Sequence, residues 1–296
     1  MVIEVKNGIV LGDESILEES MVLTERICSQ SSLTLGSCEA SIFKIQLRTE
    51  EELKGKMITV TNYDVLYGTF KVYEDKPTAD RSSKEITAYD AMYDIINADV
   101  TEWYVNIFDY NASISLKDFR DSFFEYFGLE QEEIDMALDD MMVTNTIKKS
   151  QITGKDIITA ICEANGCFGH INRTGKMQYI MLQSSMVPRE DLFPSYDLFP
   201  GSWSNKSMHS NYYINGRYSD FVTDAITAVK IVDADGSVLI EEGIGAPYVL
   251  DNFILYGKTA EELQNYVPVF LKTIAEYVYR PFEAEVVGDP ALEVGK

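Results

Sequence analysis

Short runs of alternating apolar and polar residues mark the first ninety positions of the chain. Residues 40–47 end in strict alternation, which is typical of a half-buried strand. Residues 57–61 and 69–73 are rich in β-branched and aromatic side chains and also predict strands. Because polar turns separate these runs by roughly ten residues, the pattern predicts a first β-barrel-like domain over residues 1–90.

Residues 91–187 change to a helical period. One predicted helix begins at Ser115, with Asp118 at capping-box spacing, and ends at Gly128. Its apolar face consists of Leu116, Phe119, Phe123 and Phe127. A second predicted helix runs from Thr153 to Asn165, and its inward face consists of Ile157, Ile158, Ile161 and Cys162. A hairpin over residues 167–172 and 176–182 follows, so this stretch is predicted to be an α+β insert region.

The remaining residues, 188–296, return to strand patterns. Prolines at 188, 194 and 200 indicate a linker or crossing segment. Residues 225–232, 238–242 and 252–255 are predicted to be extended, with a hairpin turn at 233–236. A helix is predicted to begin at Thr259, with Glu262 at capping-box spacing, to kink or restart at Pro268 and to end at Tyr279. Residues 281–292 predict a strand that turns.

These patterns together predict an α+β fold. Two β-barrel-like domains, residues 1–90 and 188–296, flank or carry the insert region of residues 91–187. The second of these domains includes the helix at about 259–279.

Composition narrows the classes of function. The 296 residues include 25 basic and 48 acidic side chains, which gives a net charge of −23. With 18 Tyr, 14 Phe and 2 Trp, the chain does not have the composition of a disordered acidic tail. The charge argues against specific nucleic-acid binding and against a polybasic membrane-surface patch. We expect no signal peptide and no membrane span, and the four sparse cysteines indicate folding in a reducing cytoplasm.

The best candidate for a metal site is the cluster of Cys162, Cys167 and His170. A closed zinc site needs four ligands, and this cluster supplies three, so buried packing is the favoured interpretation. A nucleophile pair of Cys167 and His170 is disfavoured, because residues three apart on a strand point to opposite faces. The other histidine, His209, has no partner that the sequence can identify. No catalytic, cofactor-binding or metal-binding residue is therefore assigned.

Other motifs have a structural interpretation that is simpler than the functional one. The pattern Asp233-x-Asp235-Gly236 begins like a calcium loop, but Val238 and Ile244 occupy the positions where that loop needs Gly and Glu. Trp203, Tyr212, Tyr213 and Tyr218 could stack on a ligand, although aromatic strand residues more often belong to a core. No glycine-rich phosphate loop is present in the sequence.

One acidic block contains no basic residue. It consists of Asp121, Glu125, Glu130, Glu132, Glu133, Asp135, Asp139 and Asp140. A solvated helix face is the favoured interpretation, and a docking surface for a basic partner is the alternative.

Four segments, in matching order, resemble segments of phage tail proteins carried by Gram-positive bacteria and their prophages. They are SSLTLGSCEAS at residues 31–41, ITAYDAMYD at 86–94, ICEANGCFGH at 161–170, and RPFE with GDPALEVG within 280–295. The family is the tail hub, or tail-associated protein, of the baseplate. The resemblance extends from about residue 25 to the end of the chain.

The resemblance implies a structural virion protein at the tail tip, assembled in the host bacterial cytoplasm. Such hubs form a homotrimer whose two barrel-like domains per chain make a pseudo-hexameric ring. Expected partners are the distal tail protein or tail tube, the tape-measure protein, and a distal spike, fibre or lysin. In the family a further strand follows the Leu-Glu-Val-Gly motif, so any hydrolase is expected beyond Lys296.

Two alternatives from other classes stay open. One is a peptidoglycan hydrolase, or its amino-terminal part, whose active carboxylates the sequence cannot identify among so many. The other is a cytoplasmic α+β ligand-binding protein. The structural role is favoured, so we predict that the chain is not an enzyme and holds no cofactor.

Overall fold

A computed structural model describes residues 1–6, 8–28, 34–62, 64–109, 111–181, 213–218, 225–274, 282–286 and 293–294. For residues 213–218 and 282–286 only the backbone is described. The chain divides into two units. The first comprises Met1–Ile180, Asn252–Gly257 and Pro290–Lys296, and the second comprises Met181–Asp251 and Lys258–Asp289.

An antiparallel sheet of seven strands forms the beginning of the first unit. Its strands are β1 (Val2–Val5), β2 (Ile9–Leu11), β3 (Val22–Thr24), β4 (Ile42–Leu47), β5 (Met57–Asn62), β6 (Val65–Pro77) and β7 (Lys84–Tyr89). Their order across the sheet is β2-β1-β5-β6-β7-β4-β3. The three strands predicted at 40–47, 57–61 and 69–73 are confirmed as β4, β5 and part of β6.

Alternation places one face of this sheet in a hydrophobic core. Along β4, Phe43, Ile45 and Leu47 are buried, whereas Lys44 between them is exposed. The core also includes Ile3, Val5, Leu11, Leu53, Ile58, Val60, Phe70, Val72, Ile86 and Ala88.

The sheet has two edge strands and does not close on itself within the described residues. Strands β2 and β3 are its edges, and no pairing between described residues joins them. The structure therefore confirms a mixed α+β fold with a large antiparallel sheet, whereas the barrel-like character of the domains stays a prediction.

Helices and short strands complete the first unit. They are α1 (Ala91–Asn97), α2 (Thr101–Asp109), β8 (Ser113–Ser115), α3 (Leu116–Phe127), β9 (Met142–Thr144), α4 (Gly154–Ala164), β10 (Cys167–Ile171) and β11 (Met177–Met181). The predicted caps of α3 and α4 are confirmed, because Ser115 Oγ accepts from Asp118 N at 3.0 Å and Thr153 forms a capping box with Asp156. The hairpin of β10 and β11 is also confirmed.

An aromatic cluster joins α2 to α3. Trp103 lies 5.2 Å from both Phe119 and Phe123 between ring centroids, and Tyr104 lies 6.2 Å from Phe253. The sequence pattern did not predict α1 or α2, because the β-branched and aromatic residues of α2 favour a strand by propensity alone. The helix is stabilised by burial of Trp103 and Tyr104.

The prediction of an extended segment at 252–255 was wrong. Phe253–Leu255 form a turn of 3₁₀-helix. Asn252 caps this turn by accepting from Ile254 N at 3.0 Å, while its Nδ2 donates to the carbonyl oxygen of Ala160 at 2.9 Å. Three buried apolar residues therefore pack as one turn rather than alternate as a strand.

The described part of the second unit contains two small sheets and a helix. Its elements are β12 (Tyr213–Tyr218), β13 (Ala228–Val232), β14 (Val238–Gly243), β15 (Tyr248–Leu250), α5 (Ala260–Ile274) and β16 (Phe282–Val286). Strand β12 pairs with β16, and β13 lies between β14 and β15. These strands confirm the predictions at 225–232, 238–242 and the first half of 281–292.

Helix α5 begins with the predicted capping box, because Thr259 N donates to Glu262 Oε2 at 2.7 Å and Glu262 N donates to Thr259 Oγ1 at 3.3 Å. The helix continues across Pro268 to Ile274. Its predicted end at residue 279, the linker at 188–201 and the turn after residue 286 lie outside the described residues. No described helix combines the length and the apolar character that a membrane span requires.

Candidate functional site

The Cys–His segment lies at the junction of α4 and β10. Cys162 and Cys167 are fully buried, and Cys167 Sγ contacts the carbonyl oxygen of Cys162 at 3.4 Å. A third thiol that the sequence did not place here joins them, because Cys38 Sγ lies 3.7 Å from Cys162 Sγ. We call Cys38, Cys162 and Cys167 the thiol cluster.

Two glycines allow the three backbones around the thiol cluster to approach. A Cβ at Gly169 would lie 2.5 Å from Cys38 Sγ, and one at Gly36 would lie 2.7 Å from the carbonyl oxygen of Thr159. The segment that carries Cys38 extends the β10 hairpin, since Gly169 N donates to the carbonyl oxygen of Ser37 at 3.1 Å. The cluster is thus a consequence of close packing between this segment, α4 and β10.

The chemistry of the cluster favours a core role. Hydrogen bonding to the Cys167 and Cys38 thiols, together with burial, holds the pKa of the Cys162 thiol well above its ordinary value. A thiol that stays protonated is a poor nucleophile and a poor metal ligand. Among the described residues, no group of three or more His, Cys, Asp and Glu side chains is arranged to hold a metal ion.

His170 forms no hydrogen bond with the thiol cluster. It is fully buried, and neither ring nitrogen has a hydrogen-bond partner in the described part of the chain. Burial lowers its pKa below the ordinary value, Glu293 opposes that shift and Arg173 adds to it. The Glu25 carboxylate lies close by, with its Oε1 3.9 Å from His170 Nε2. The complete burial of His170 favours a core role for this side chain.

The acidic block is not the solvated helix face that the sequence favoured. Only Asp121 and Glu125 belong to α3, and the other six carboxylates follow the helix in the segment that leads to β9. Nor is the block wholly solvated, because the Asp139 side chain is only 13% exposed. Asp139 Oδ1 accepts a hydrogen bond from Arg120 Nη1 at 2.8 Å, and the Arg120 side chain is itself only 4% exposed. This ion pair was missed because Arg120 precedes the block by one residue.

A cleft of about 580 Å³ lies along this segment. It is lined by Lys117, Arg120, Asp121, Gln131, Glu132, Glu133, Ile134 and Asp135. Several of its polar groups are already used, because Gln131 bridges Asp121 and Tyr179, and Asn172 donates to Glu132 at 2.6 Å. These bonds hold the segment against α3 and the β10–β11 hairpin.

The remaining candidates are placed as follows. Trp203, His209 and Tyr212 lie outside the described residues, and Tyr213 and Tyr218 belong to β12, whose side chains are not described. The 233–236 turn is confirmed: it joins β13 to β14, and Asp235 Oδ1 accepts from Ser237 N at 2.8 Å.

Comparison with known proteins shows that this chain shares its fold with a protein of known structure. No family model matches the chain, and no curated protein matches it. The 43 kDa tail protein of prophage MuSo2 from Shewanella oneidensis is similar with a TM-score of 0.50 and 12% identity, over 92% of this chain and 78% of that chain. The tail protein from Neisseria meningitidis MC58 has a TM-score of 0.47 and 12% identity, over 92% and 77%. Both structural neighbours are tail proteins, and at this identity the first likeness establishes a shared fold.

Proposed function

We propose that the chain is a structural, non-enzymatic component of a phage or prophage tail. The observation that carries this proposal is the fold shared with a prophage tail protein over 92% of the chain. The four tail-like sequence segments support it independently of the fold, because they were identified from residue order alone. The candidate thiol and histidine groups also support a structural role, since their burial suits packing better than chemistry.

Within that role, we propose the position of a baseplate hub at the tail tip. A trimeric ring of this chain would join the tail tube and distal tail protein to a spike, fibre or cell-wall-active tip. Ring assembly needs faces that pair with neighbouring copies. The edge strands β2 and β3 support such pairing, because among the described residues each is hydrogen-bonded to a single strand. Each also carries an exposed valine, Val10 at 60% and Val22 at 52%.

The net charge is consistent with a conduit for DNA. A lumen lined by carboxylates would repel phosphates and limit adhesion during passage. This part of the proposal requires that acidic side chains face the channel, and a trimer with acids confined to the outer rim would contradict it.

Deletion and complementation of the gene in its own strain test the proposed function. We expect particles from the deletion strain to lack complete tails, and complementation to restore tails in which an antibody to the chain labels the tip. Val10→Asp should fold but fail to complement, because a buried charge would disrupt an edge-strand interface. Val105→Asp, at a valine that is 46% exposed on α2, is the matched control and should complement.

Two results would contradict the proposal. One is normal tails in the deletion strain. The other is clearing of a peptidoglycan gel by the purified chain, which would favour the hydrolase instead.

A further inference from the structure

A groove lies between α2 and α3. Its floor is aromatic, and its rim carries polar groups that form no hydrogen bond with a described residue. Its volume is about 410 Å³, within the range of sites that hold small ligands or single side chains. It is lined by Glu102, Trp103, Asn106, Ile107, Ser122 and Tyr126.

The floor is rigid. Trp103 is held against Phe119 and Phe123, and its Nε1 donates to Ser122 Oγ at 3.3 Å, so the indole ring cannot rotate freely. Tyr126 stands at the rim with 53% of its surface exposed. Trp103 itself is only 7% exposed, so Tyr126 supplies the accessible aromatic face of the groove. An exposed tyrosine is typical of a binding surface, since it loses little side-chain entropy when covered.

The polar groups at the rim have no partner among the residues that the structure describes. The Glu102 carboxylate, the Asn106 amide and the Tyr126 hydroxyl make no hydrogen bond or ion pair with any described residue. The surroundings are acidic: the exposed faces of α2 and α3 carry Glu102, Asp109, Asp118, Asp121 and Glu125 against the single base Lys117. Anionic ligands are therefore disfavoured, and a cation is favoured.

We propose that this groove binds an arginine side chain presented by a protein partner. A guanidinium is planar, so it stacks on an aromatic face while its edge donates hydrogen bonds to a carboxylate and to an amide oxygen. Tyr126 offers the face, Glu102 the carboxylate and Asn106 the amide. A lysine ammonium satisfies the charge but not the planar geometry, so it binds more weakly.

Fluorescence of Trp103 reports the binding directly. The chain has two tryptophans, so Trp203→Phe leaves Trp103 as the single indole. This variant would be titrated with Gly-Arg-Gly, Gly-Lys-Gly and Gly-citrulline-Gly, each capped at both ends. We expect a saturable change with the arginine peptide, a weaker one with lysine and none with citrulline, which keeps the shape of arginine without its charge.

Substitutions separate the groove from general electrostatics. Glu102→Gln should weaken arginine binding about tenfold, because it removes a charge-assisted hydrogen bond. Glu125→Gln is the matched control: it removes the same charge from the exposed face of α3 without lining the groove, and binding should be unchanged. Circular dichroism would establish that both variants fold.

The proposal would be overturned by equal weakening with both substitutions, by equal binding of citrulline and arginine, or by a response to N-acetylglucosamine oligomers in place of arginine. A concentration-dependent mass that is lost in Glu102→Gln would instead assign the groove to a second copy of the chain and also overturn it. The assay uses no phage particle, so its failure leaves the proposed tail role untouched.

Discussion

Asp90 is a buried carboxylate that joins the large sheet to the helices. It caps α1 by accepting from Met92 N at 3.0 Å, and it accepts from Ser41 N at 2.9 Å on the neighbouring segment. Burial raises its pKa to about 6, even though both hydrogen bonds favour the charged form. The residue therefore stabilises two backbone turns at the cost of a desolvated charge.

Asp90→Asn should remove one component of the pH dependence of stability. The folded pKa of about 6 lies above the ordinary 3.8, so the folded state binds the extra proton between these values and stability falls as pH rises through that window. The shift corresponds to about 3 kcal/mol at most. Urea unfolding of both proteins across this pH range measures their free energies of unfolding. The value for the parent protein minus the value for Asp90→Asn should decrease as pH rises.

The control for this experiment is Glu4→Gln, which neutralises an exposed carboxylate on β1. Its unfolding free energy should follow the parent protein at every pH. A parallel pair of curves for the parent protein and Asp90→Asn would show that Asp90 does not titrate in this window.

At this scale the sequence identified single residues better than their partners. Cys162 was correctly placed on an apolar helix face, because helical spacing alone decides that. Its contact with Cys38 spans 124 residues, and no local pattern encodes such a pairing. Arg120 illustrates the same limit, since its burial against Asp139, 19 residues away, depends on the fold and not on a local pattern.

Between elements, α4 approaches α1 closely at Gly154. A Cβ at Gly154, in the first turn of α4, would lie 2.0 Å from the carbonyl oxygen of Ile95. Gly154 N also donates to the carbonyl oxygen of Ala98 at 2.9 Å. The absence of a side chain at this position therefore sets the distance between the two helices.

Gly154→Ala should destabilise the protein, although alanine is the better helix former by about 1 kcal/mol. The added methyl group meets backbone rather than a movable side chain, so we expect a loss of roughly 2 kcal/mol or more in the free energy of unfolding. Chemical denaturation monitored by circular dichroism measures it.

Lys155→Ala is the matched control one residue further along α4. Its side chain is exposed, so the change should stay within about 0.5 kcal/mol. If Gly154→Ala instead proved as stable as the parent, α1 and α4 would have to be further apart than described.

The ends of helices could be predicted from the sequence, whereas some whole elements could not. The caps at Ser115, Thr153 and Thr259 were predictable because each depends on hydrogen bonds within three residues. Helix α2 was not predictable, because its aromatic residues favour strand until Phe119 and Phe123 pack against them. The turn at 253–255 likewise depends on a distant carbonyl, that of Ala160.

For the whole molecule, the net charge opposes the trimeric assembly proposed above. Three copies that each carry −23 repel one another at low ionic strength, and salt screens this repulsion. We therefore expect light scattering to give the 33.5 kDa mass of one chain in dilute buffer and to approach three times that mass as sodium chloride is raised. A mass that falls with added salt would show that ion pairs, rather than edge strands and apolar contacts, hold the assembly.

The first unit is discontinuous along the chain, and this affects how it can fold during translation. The segment Asn252–Gly257 belongs to it, with Thr146 Oγ1 donating to the carbonyl oxygen of Phe253 at 2.9 Å. During translation, the aromatic cluster around Tyr104 therefore stays incomplete until residues 181–257 have been synthesised. Over that interval the nascent chain lacks Phe253 to cover the apolar surface around Tyr104, and a fragment that ends at residue 180 would lack it permanently.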